Sequence, residues 1–339
     1  MNESGYTVAI TGPTGDIGRS LLRQLDKAPE VNRIIGMARR PFDPAALGLE
    51  KTEYRRGDIL EPDSIAELVE GADVLVHLAF VILGSRDETH RINLEGTRNV
   101  FEAAMSGGVH RFVYTSSVAA YGFHDENPQP LTEEVAPKGT DDFYYSAQKA
   151  ELERELHKLV DGSDVEAYIF RPCIVAGPDA LTLITAMIDA LQLGGRLPQI
   201  TKFLDTVPFL KPVLPGPGSP FQLVHHDDVA QALVAGITGR GEPGIYNLAG
   251  EGTIKTSDLA SALGWYSVPV PGLAVDLTAE VISRIPLVPA ELSWINALRV
   301  PVLMDTTKAR EKLAWVPEHD TRETLEQTVE GARAEGIIQ

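Results

Sequence analysis

Tyr145 and Lys149 stand four residues apart, a spacing that puts a phenol and an ammonium on one face of a helix. An ammonium near a phenol favours the phenolate. The pair is therefore expected to lower the tyrosine pKa and to tune Tyr145 as a proton donor or acceptor near neutral pH. Tyr144, five residues from Lys149, is expected to point elsewhere. Upstream, Thr115-Ser116-Ser117 ends a predicted strand, which would set the Ser117 hydroxyl where it can hydrogen-bond a substrate oxygen. A second constellation, Thr11-Gly12-Pro13-Thr14-Gly15-Asp16-Ile17-Gly18, lies near the start of the chain. Its glycines have the spacing of a phosphate-binding turn. Gly12 permits the tight turn, Gly15 lets backbone N–H groups approach a pyrophosphate, and Gly18 lets helix pack on strand. Thr14, Asp16 and Ile17 complete the candidate cofactor-binding turn. A proton-transfer pair and a dinucleotide turn in one chain point to the movement of a hydride and a proton.

These groups need a scaffold. Tyr6-Thr7-Val8-Ala9-Ile10 is β-branched and apolar and reads as a buried strand, and Ser20 to Leu25 has helical spacing. Strand, glycine turn and helix form the context the fingerprint requires, with the helix N-terminus facing the anion. Further strands are predicted over 31–37, 74–78, 111–115 and 166–170. Helices are predicted over 64–69, capped by Asp63 or Ser64, over 93–105 and over 146–160. Strands alternating with helices imply an α/β fold with a doubly wound parallel sheet. After Pro172 the texture changes. Proline and glycine become dense through 211–220 and separate helical segments at 183–193 and 279–285. Residues 1–175, joined by 221–250, are expected to form the dinucleotide-binding domain. Residues 176–220 and 251–339 are expected to form a smaller mixed lobe beyond the carboxyl ends of the strands, where a substrate pocket would lie.

The 339 residues carry a formal net charge of −18. A field of that sign repels nucleic acid and anionic membrane surfaces, so neither is expected as a partner, and local donors must hold any anionic cofactor. Cys173 is the single cysteine, which excludes an intrachain disulfide and fits a reducing, cytoplasmic compartment. The glycine turn starts about ten residues into the chain, so no signal peptide is expected ahead of it. The apolar run from Val74 to Leu83 is interrupted by His77 and falls short of the ~18 residues of a spanning helix.

The order of these motifs resembles the extended short-chain dehydrogenase/reductase family, the NAD-dependent epimerase/dehydratase group. The resemblance rests on the glycine turn, Asp58-Ile59-Leu60, His77-Leu78-Ala79, Asn93 to Val100 and Thr115 to Gly122. It continues through Tyr145-x-x-x-Lys149, Arg171-Pro172, Gly177-Pro178, Val224 to Ala230 and Leu313 to Pro317. It implies a Rossmann-type sheet with a C-terminal substrate-binding lobe. Tyr145 would be the catalytic acid/base, Lys149 would lower its pKa and hold the nicotinamide ribose, and Ser117 would polarise the substrate carbonyl or carbinol. Asp58 and Ile59 would touch the adenine. Leu78, Ala79, Thr115 and Pro172 would line the cofactor groove. Asn93 would support its helix. Two helices, about 93–105 and 146–160, would pair in a homodimer.

The choice of cofactor turns on the end of the second strand. A carboxylate about 20 residues after the glycines would grip the ribose 2′-hydroxyl of NAD. Here the chain has Ala38-Arg39-Arg40, and a guanidinium pairs instead with a 2′-phosphate. NADP is therefore expected over NAD. The choice of reaction turns on three departures from the family pattern. Val118 and Ala119 replace the Asp-Glu pair of sugar-nucleotide dehydratases. Ile174 stands where nucleotide-sugar members usually have asparagine. Phe221 stands at the place of a diphosphate-binding arginine. These apolar replacements, with the apolar segments 181–184, 203–204 and 207–210, point to a fairly hydrophobic small-molecule substrate and to carbonyl/alcohol redox chemistry. An epimerase retaining NAD would use the same Ser117, Tyr145 and Lys149, and a non-catalytic cofactor-binding regulator is a third reading.

Other chemistry-bearing residues receive plainer assignments. His225-His226-Asp227-Asp228 has metal-ligand residue types but no further ligand cluster, so no metal is expected. Asp227 or Asp228 is expected to cap a helix over 229–237. Cys173 is expected to be a buried core thiol, and Arg171 to form a structural ion pair.

Overall fold

Alternation along each strand sets the layers. Val8 and Ile10 of β1 (Tyr6–Thr11) face one side of the sheet and Ala9 the other. Val74 and Val76 against Leu75 in β4 (Val74–His77) do the same. So do Val113 against Phe112 and Tyr114 in β5 (Arg111–Thr115). Both faces of a strand buried in this way belong in a parallel sheet covered by helices on each side. The computed structural model describes residues 5–82, 86–141, 143–182, 184–185, 213–216, 218–269 and 300–338. It has seven parallel strands in the order β10-β6-β5-β4-β1-β2-β3, with β2 at Val31–Ala38, β3 at Thr52–Arg56, β6 at Glu166–Pro172 and β10 at Gly244–Leu248. The strand order reverses between β1 and β4, where Thr11 lies opposite His77. In doubly wound sheets that switch point opens the ligand crevice.

One face is covered by α1 (Asp16–Lys27) and by α6 (His226–Ile237). The other is covered by α2 (Pro62–Val69), α4 (Thr97–Ser106) and α5 (Tyr144–Val160). A short α3 (Arg86–His90) runs through a wider π-type turn, Arg91–Gly96, into α4. The C-terminal part has its own cluster. There α7 (Thr256–Ala262) and α9 (Thr321–Ala334) pack Ala260, Leu325 and Val329 against Ala176 and Leu223, which lie on the paired strands β7 (Ile174–Ala176) and β9 (Leu223–His225). Strands β8 (Val213–Gly216) and β11 (Tyr266–Pro269) form a further pair, and α8 spans Thr307–Leu313. No helix among the described residues is long and apolar enough to cross a membrane.

Several local expectations are corrected. The second helix starts at Pro62 with Glu61 as its cap residue, and neither Asp63 nor Ser64 caps it. Proline lacks the N–H that a first helical turn leaves unpaired, so it opens the helix without a side-chain cap. The cap of α6 is His225, whose Nδ1 accepts from Asp227 N at 3.2 Å. The helix carrying Tyr145 and Lys149 begins at Tyr144, two residues earlier than expected, which places Tyr145 inside its first turn. The predicted helices at 183–193 and 279–285, and the apolar segments 203–204 and 207–210, lie mostly or wholly outside the described residues.

Candidate active site

The glycine turn leaves β1 at the switch point. Gly12 has φ +74°, and a Cβ there would lie 2.7 Å from Ala79 N. The turn and the chain after β4 therefore approach to a distance that only glycine permits. A Cβ on Gly18 would lie 2.5 Å from Gly12 O, so Gly18 serves packing of α1 on its own turn. Gly15 differs. It is exposed, and a Cβ there would meet only Gly12 O, at 3.6 Å. The protein's own packing does not demand its smallness, whereas close approach of a phosphate would. Gly15 is the N-cap of α1 and makes no side-chain cap bond, which leaves the first N–H groups of the helix for an anion. Thr14, Asp16 and Ile17 are partly exposed around this end. These features fit a dinucleotide pyrophosphate.

Leu78 and Ala79 follow β4, with Leu78 N donating to Thr11 O at 3.1 Å. Asp58 is partly exposed and its carboxylate accepts from Leu60 N at 3.0 Å. Ile59 is 6% exposed and fills the space beside Gly96, so its side chain serves the core. Arg39 and Arg40 follow β2 and are exposed, without a side-chain hydrogen bond or ion pair among the described residues. Arg56 is exposed at the adjoining end of β3, opposite Ala38. The edge below the turn thus presents three cations. Pro172 is buried at the end of β6.

Ser117, Tyr145 and Lys149 come together at the carboxyl end of β5. Ser117 caps a short turn, Val118–Tyr121, accepting from Ala119 N at 3.2 Å, and its side chain lies beside the Tyr145 phenol, whose pKa it draws down. Lys149 is buried, and its Nζ donates to Thr115 O at 2.8 Å while lying 3.7 Å from the centre of the Phe80 ring. The Thr115 hydroxyl is buried without a hydrogen-bond partner among the described residues. Such an orphan beside Lys149 is a place for a ligand hydroxyl. Aromatic rings close round the phenol: Phe80 lies 5.5 Å and Phe143 5.7 Å from Tyr145, and Phe123 lies 5.9 Å from Phe143. Tyr144 turns away, its hydroxyl donating to Ile82 O at 3.2 Å.

The electrostatics depart from expectation. Burial raises the Tyr145 pKa above the ordinary tyrosine value, with the Ser117 hydrogen bond pulling the other way. The expected lowering by Lys149 is absent, because the ammonium is aimed at Thr115 O and sits 6.0 Å from the Tyr145 ring centre. Burial pulls Lys149 itself down to about 7, with the Glu153 charge opposing. His77 is fully enclosed and pulled down to about 3 by burial and by the Lys149 charge. It bonds Thr11 Oγ1 at 2.7 Å and Thr97 Oγ1 at 2.9 Å, fixing the start of the glycine turn to α4. Asn93 supports the π-type turn as expected, pairing with both Val81 N and Val81 O. It also donates to Gln148 Oε1 at 2.9 Å, next to Lys149. Phe80 and Glu153 were not singled out by sequence reasoning. The available signal was the four-residue step from Lys149 to Glu153.

The His225-His226-Asp227 group brings donor atoms within 4.8 Å of one another. Its rings are stacked, however: His225 on His226 at 4.4 Å and on His319 at 3.9 Å. Stacked imidazoles hold their nitrogens side by side and do not converge on one point. Asp227 takes the Ser20 hydroxyl, its carbonyl takes Gln24 Nε2 at 2.9 Å, and the Asp228 carboxylate takes Glu318 N at 2.8 Å. The group joins α1, α6 and the segment before α9. Arg171 forms the expected ion pair, with Glu153. Cys173 is buried, which pushes its thiol well above the ordinary cysteine range.

Comparisons with known proteins place the fold. The chain is 27% identical over 335 residues to protein y4nG of Sinorhizobium fredii, covering 95% of this chain and 77% of that one. It is 36% identical over 181 residues to sterol demethylase protein B of Methylococcus capsulatus, covering 51% and 52%. It is 31% identical over 229 residues to ceramide reductase of Caulobacter vibrioides, covering 67% and 60%. The crystal structure of gox2253 superposes with a TM-score of 0.73 at 24% identity over 99% of this chain and 100% of that one. UDP-glucuronic acid 4-epimerase from Bacillus cereus in complex with NAD gives 0.71 at 19%, over 97% and 99%. At those identities the superpositions speak for the fold. The model of the NAD dependent epimerase/dehydratase family matches residues 8–249, and the chain belongs to that family of enzymes.

Proposed function

We propose that the protein is an NAD(P)-dependent oxidoreductase that reduces a carbonyl, or oxidises an alcohol, on a fairly hydrophobic small molecule. The observation that carries the reading is the meeting of Ser117, Tyr145 and Lys149 beneath the rings of Phe80 and Phe143. A bound nicotinamide supplies or accepts the hydride. Tyr145, kept as the phenol by burial, is set to donate its proton to a carbonyl oxygen that gains charge. Ser117 orients that oxygen. Lys149 and the unpaired Thr115 hydroxyl hold ribose hydroxyls. Arg39, Arg40 and Arg56 offer cations to a 2′-phosphate, which supports NADP over NAD. The names of two relatives, a sterol demethylase protein and a ceramide reductase, support a lipid-like substrate. We extend the proposal to a homodimer pairing the outer faces of α4 and α5.

The test is consumption of NADPH and NADH with apolar ketones, a sterol ketone among them, by the parent and by Tyr145→Phe. Turnover by the parent, with a loss of at least about 100-fold in the variant, is the expected result. Protein that retains NAD through purification and turns over no ketone or alcohol would move the assignment to epimerisation.

A further inference from the structure

Four residues of α5 recur at a constant spacing of four: Tyr145, Lys149, Glu153 and His157. The spacing lays them along one stripe of the helix, from the candidate catalytic phenol to His157, whose side chain is 43% exposed. Glu153, in the middle, is completely buried, as is its partner Arg171 on β6. Arg171 donates to Glu153 through Nε at 2.9 Å and also through Nη2, and its guanidinium lies 4.3 Å from the Tyr121 ring centre. Stability alone does not call for such a pair, since apolar residues of similar volume hold a core as well or better.

The contacts of Glu153 account for its charge. Ser116 Oγ donates to Glu153 Oε2 at 2.6 Å, and Ser116 N donates to Phe170 O at 2.7 Å. The hydroxyl and the N–H of Ser116 are therefore both fixed. On one side of it Thr115 O accepts Lys149 Nζ, and on the other the Ser117 side chain neighbours the Tyr145 phenol. One carboxylate thus holds the strand end on which two members of the candidate triad depend. Glu153 is also the anion one helical turn from Lys149, favouring its charged form against burial. The other titratable groups facing Lys149 are Tyr145 on α5, Tyr114 on β5 and His77 on β4. All three are uncharged near neutral pH, burial raising the two tyrosines further and pulling His77 down. Those facing Glu153 are Arg171, His157 and Tyr114. Burial works to raise Glu153, but His157, Arg171 and Ser116 together hold it below the ordinary carboxylate range.

We propose that Glu153, clamped by Arg171, is a positioning residue for this reaction: it fixes the Thr115–Ser117 strand end and supplies the anion opposite Lys149. The proposal rests on the reading of Lys149 as a cofactor-holding group. Calorimetric titration of NADPH, repeated from pH 6 to 9 in buffers of different ionisation heat, reads the protons taken up on binding. Glu153→Gln is expected to move the midpoint of proton uptake about one pH unit towards acid and to weaken NADPH about tenfold at pH 8. That variant leaves Arg171 a buried, unpaired cation. A neutral double variant, Glu153→Gln with Arg171→Met, is therefore titrated beside it, with circular dichroism confirming the fold. The same acid-ward shift in the double variant supports the proposal. A parent-like midpoint in the folded variants overturns it and leaves the cofactor reading standing. A parent that binds neither NADPH nor NADH overturns that reading and the proposal together.

Discussion

Replacing Lys149 by methionine should make the unliganded protein more stable, and by an amount that depends on pH. Lysine ordinarily titrates at 10.5, and burial brings Lys149 to about 7. A base whose folded pKa is depressed destabilises the fold fully below the folded value, and the penalty disappears as pH rises through the unfolded value. The separation corresponds to about 5 kcal/mol at pH 6 and about 2 kcal/mol at pH 9. Methionine has the length and flexibility to fill the site without the charge. It forfeits the bond from Nζ to Thr115 O, a pH-independent loss of about 1 kcal/mol. Lys149→Met is thus expected to be more stable than the parent by about 3–4 kcal/mol at pH 6 and by about 1 kcal/mol at pH 9. Equilibrium unfolding in urea at pH 6, 7, 8 and 9 measures the difference. A difference flat to within about 0.5 kcal/mol across that range would refute the argument, because it would mean that Lys149 titrates alike in the folded and unfolded chain.

Two further outcomes concern the cofactor groove. Gly18→Ala places a methyl against backbone that cannot move aside and should cost about 1–3 kcal/mol of stability. Gly15→Ala should leave stability within about 0.5 kcal/mol while weakening dinucleotide binding. Melting curves and calorimetry on the two variants separate packing from ligand approach, and equal melting losses would contradict the assignment. The double variant Arg39→Ala/Arg40→Ala should lose about tenfold or more in NADPH affinity while NADH is unchanged. Equal loss for both nucleotides, measured by titration, would remove the 2′-phosphate from the account.

Much of the nucleotide-binding half was legible because its signals are local. The glycine turn announces itself by spacing, and the runs at 74–77 and 111–115 have the apolar continuity of strands buried on both faces. The third strand was missed. Thr52-Glu53-Tyr54-Arg55-Arg56 lies at the edge of the sheet and is charged along its length, as edge strands tend to be, so its sequence resembles a loop. Glu153 was missed for the converse reason. A glutamate on a Glu- and Lys-rich helix reads as solvated, and only the arrival of Arg171 from β6, distant in sequence, reveals it as buried. The sign of the Tyr145 shift depended on where Lys149 directs its Nζ, and spacing does not contain that information. The cap of α6 went to His225 instead of a carboxylate because Asp227 and Asp228 are drawn to Ser20 and to the segment before α9.

The seventh strand has a consequence for how the chain is made. β10 pairs along β6 from Tyr168 to Pro172, yet it is synthesised only after β7, β8, β9 and α6. Until residue 248 has left the ribosome, β6 is a bare edge carrying Tyr168, Phe170 and Arg171, which are all buried in the finished sheet. A nascent or truncated chain ending between β6 and β10 therefore exposes an unpaired strand, the kind of edge on which aggregation starts. Closing that edge joins residues far apart in sequence and is an intrinsically slow event. A chaperone that shields β6 during translation would raise the yield of this protein, whereas one acting on the finished N-terminal half would arrive before the partner strand exists.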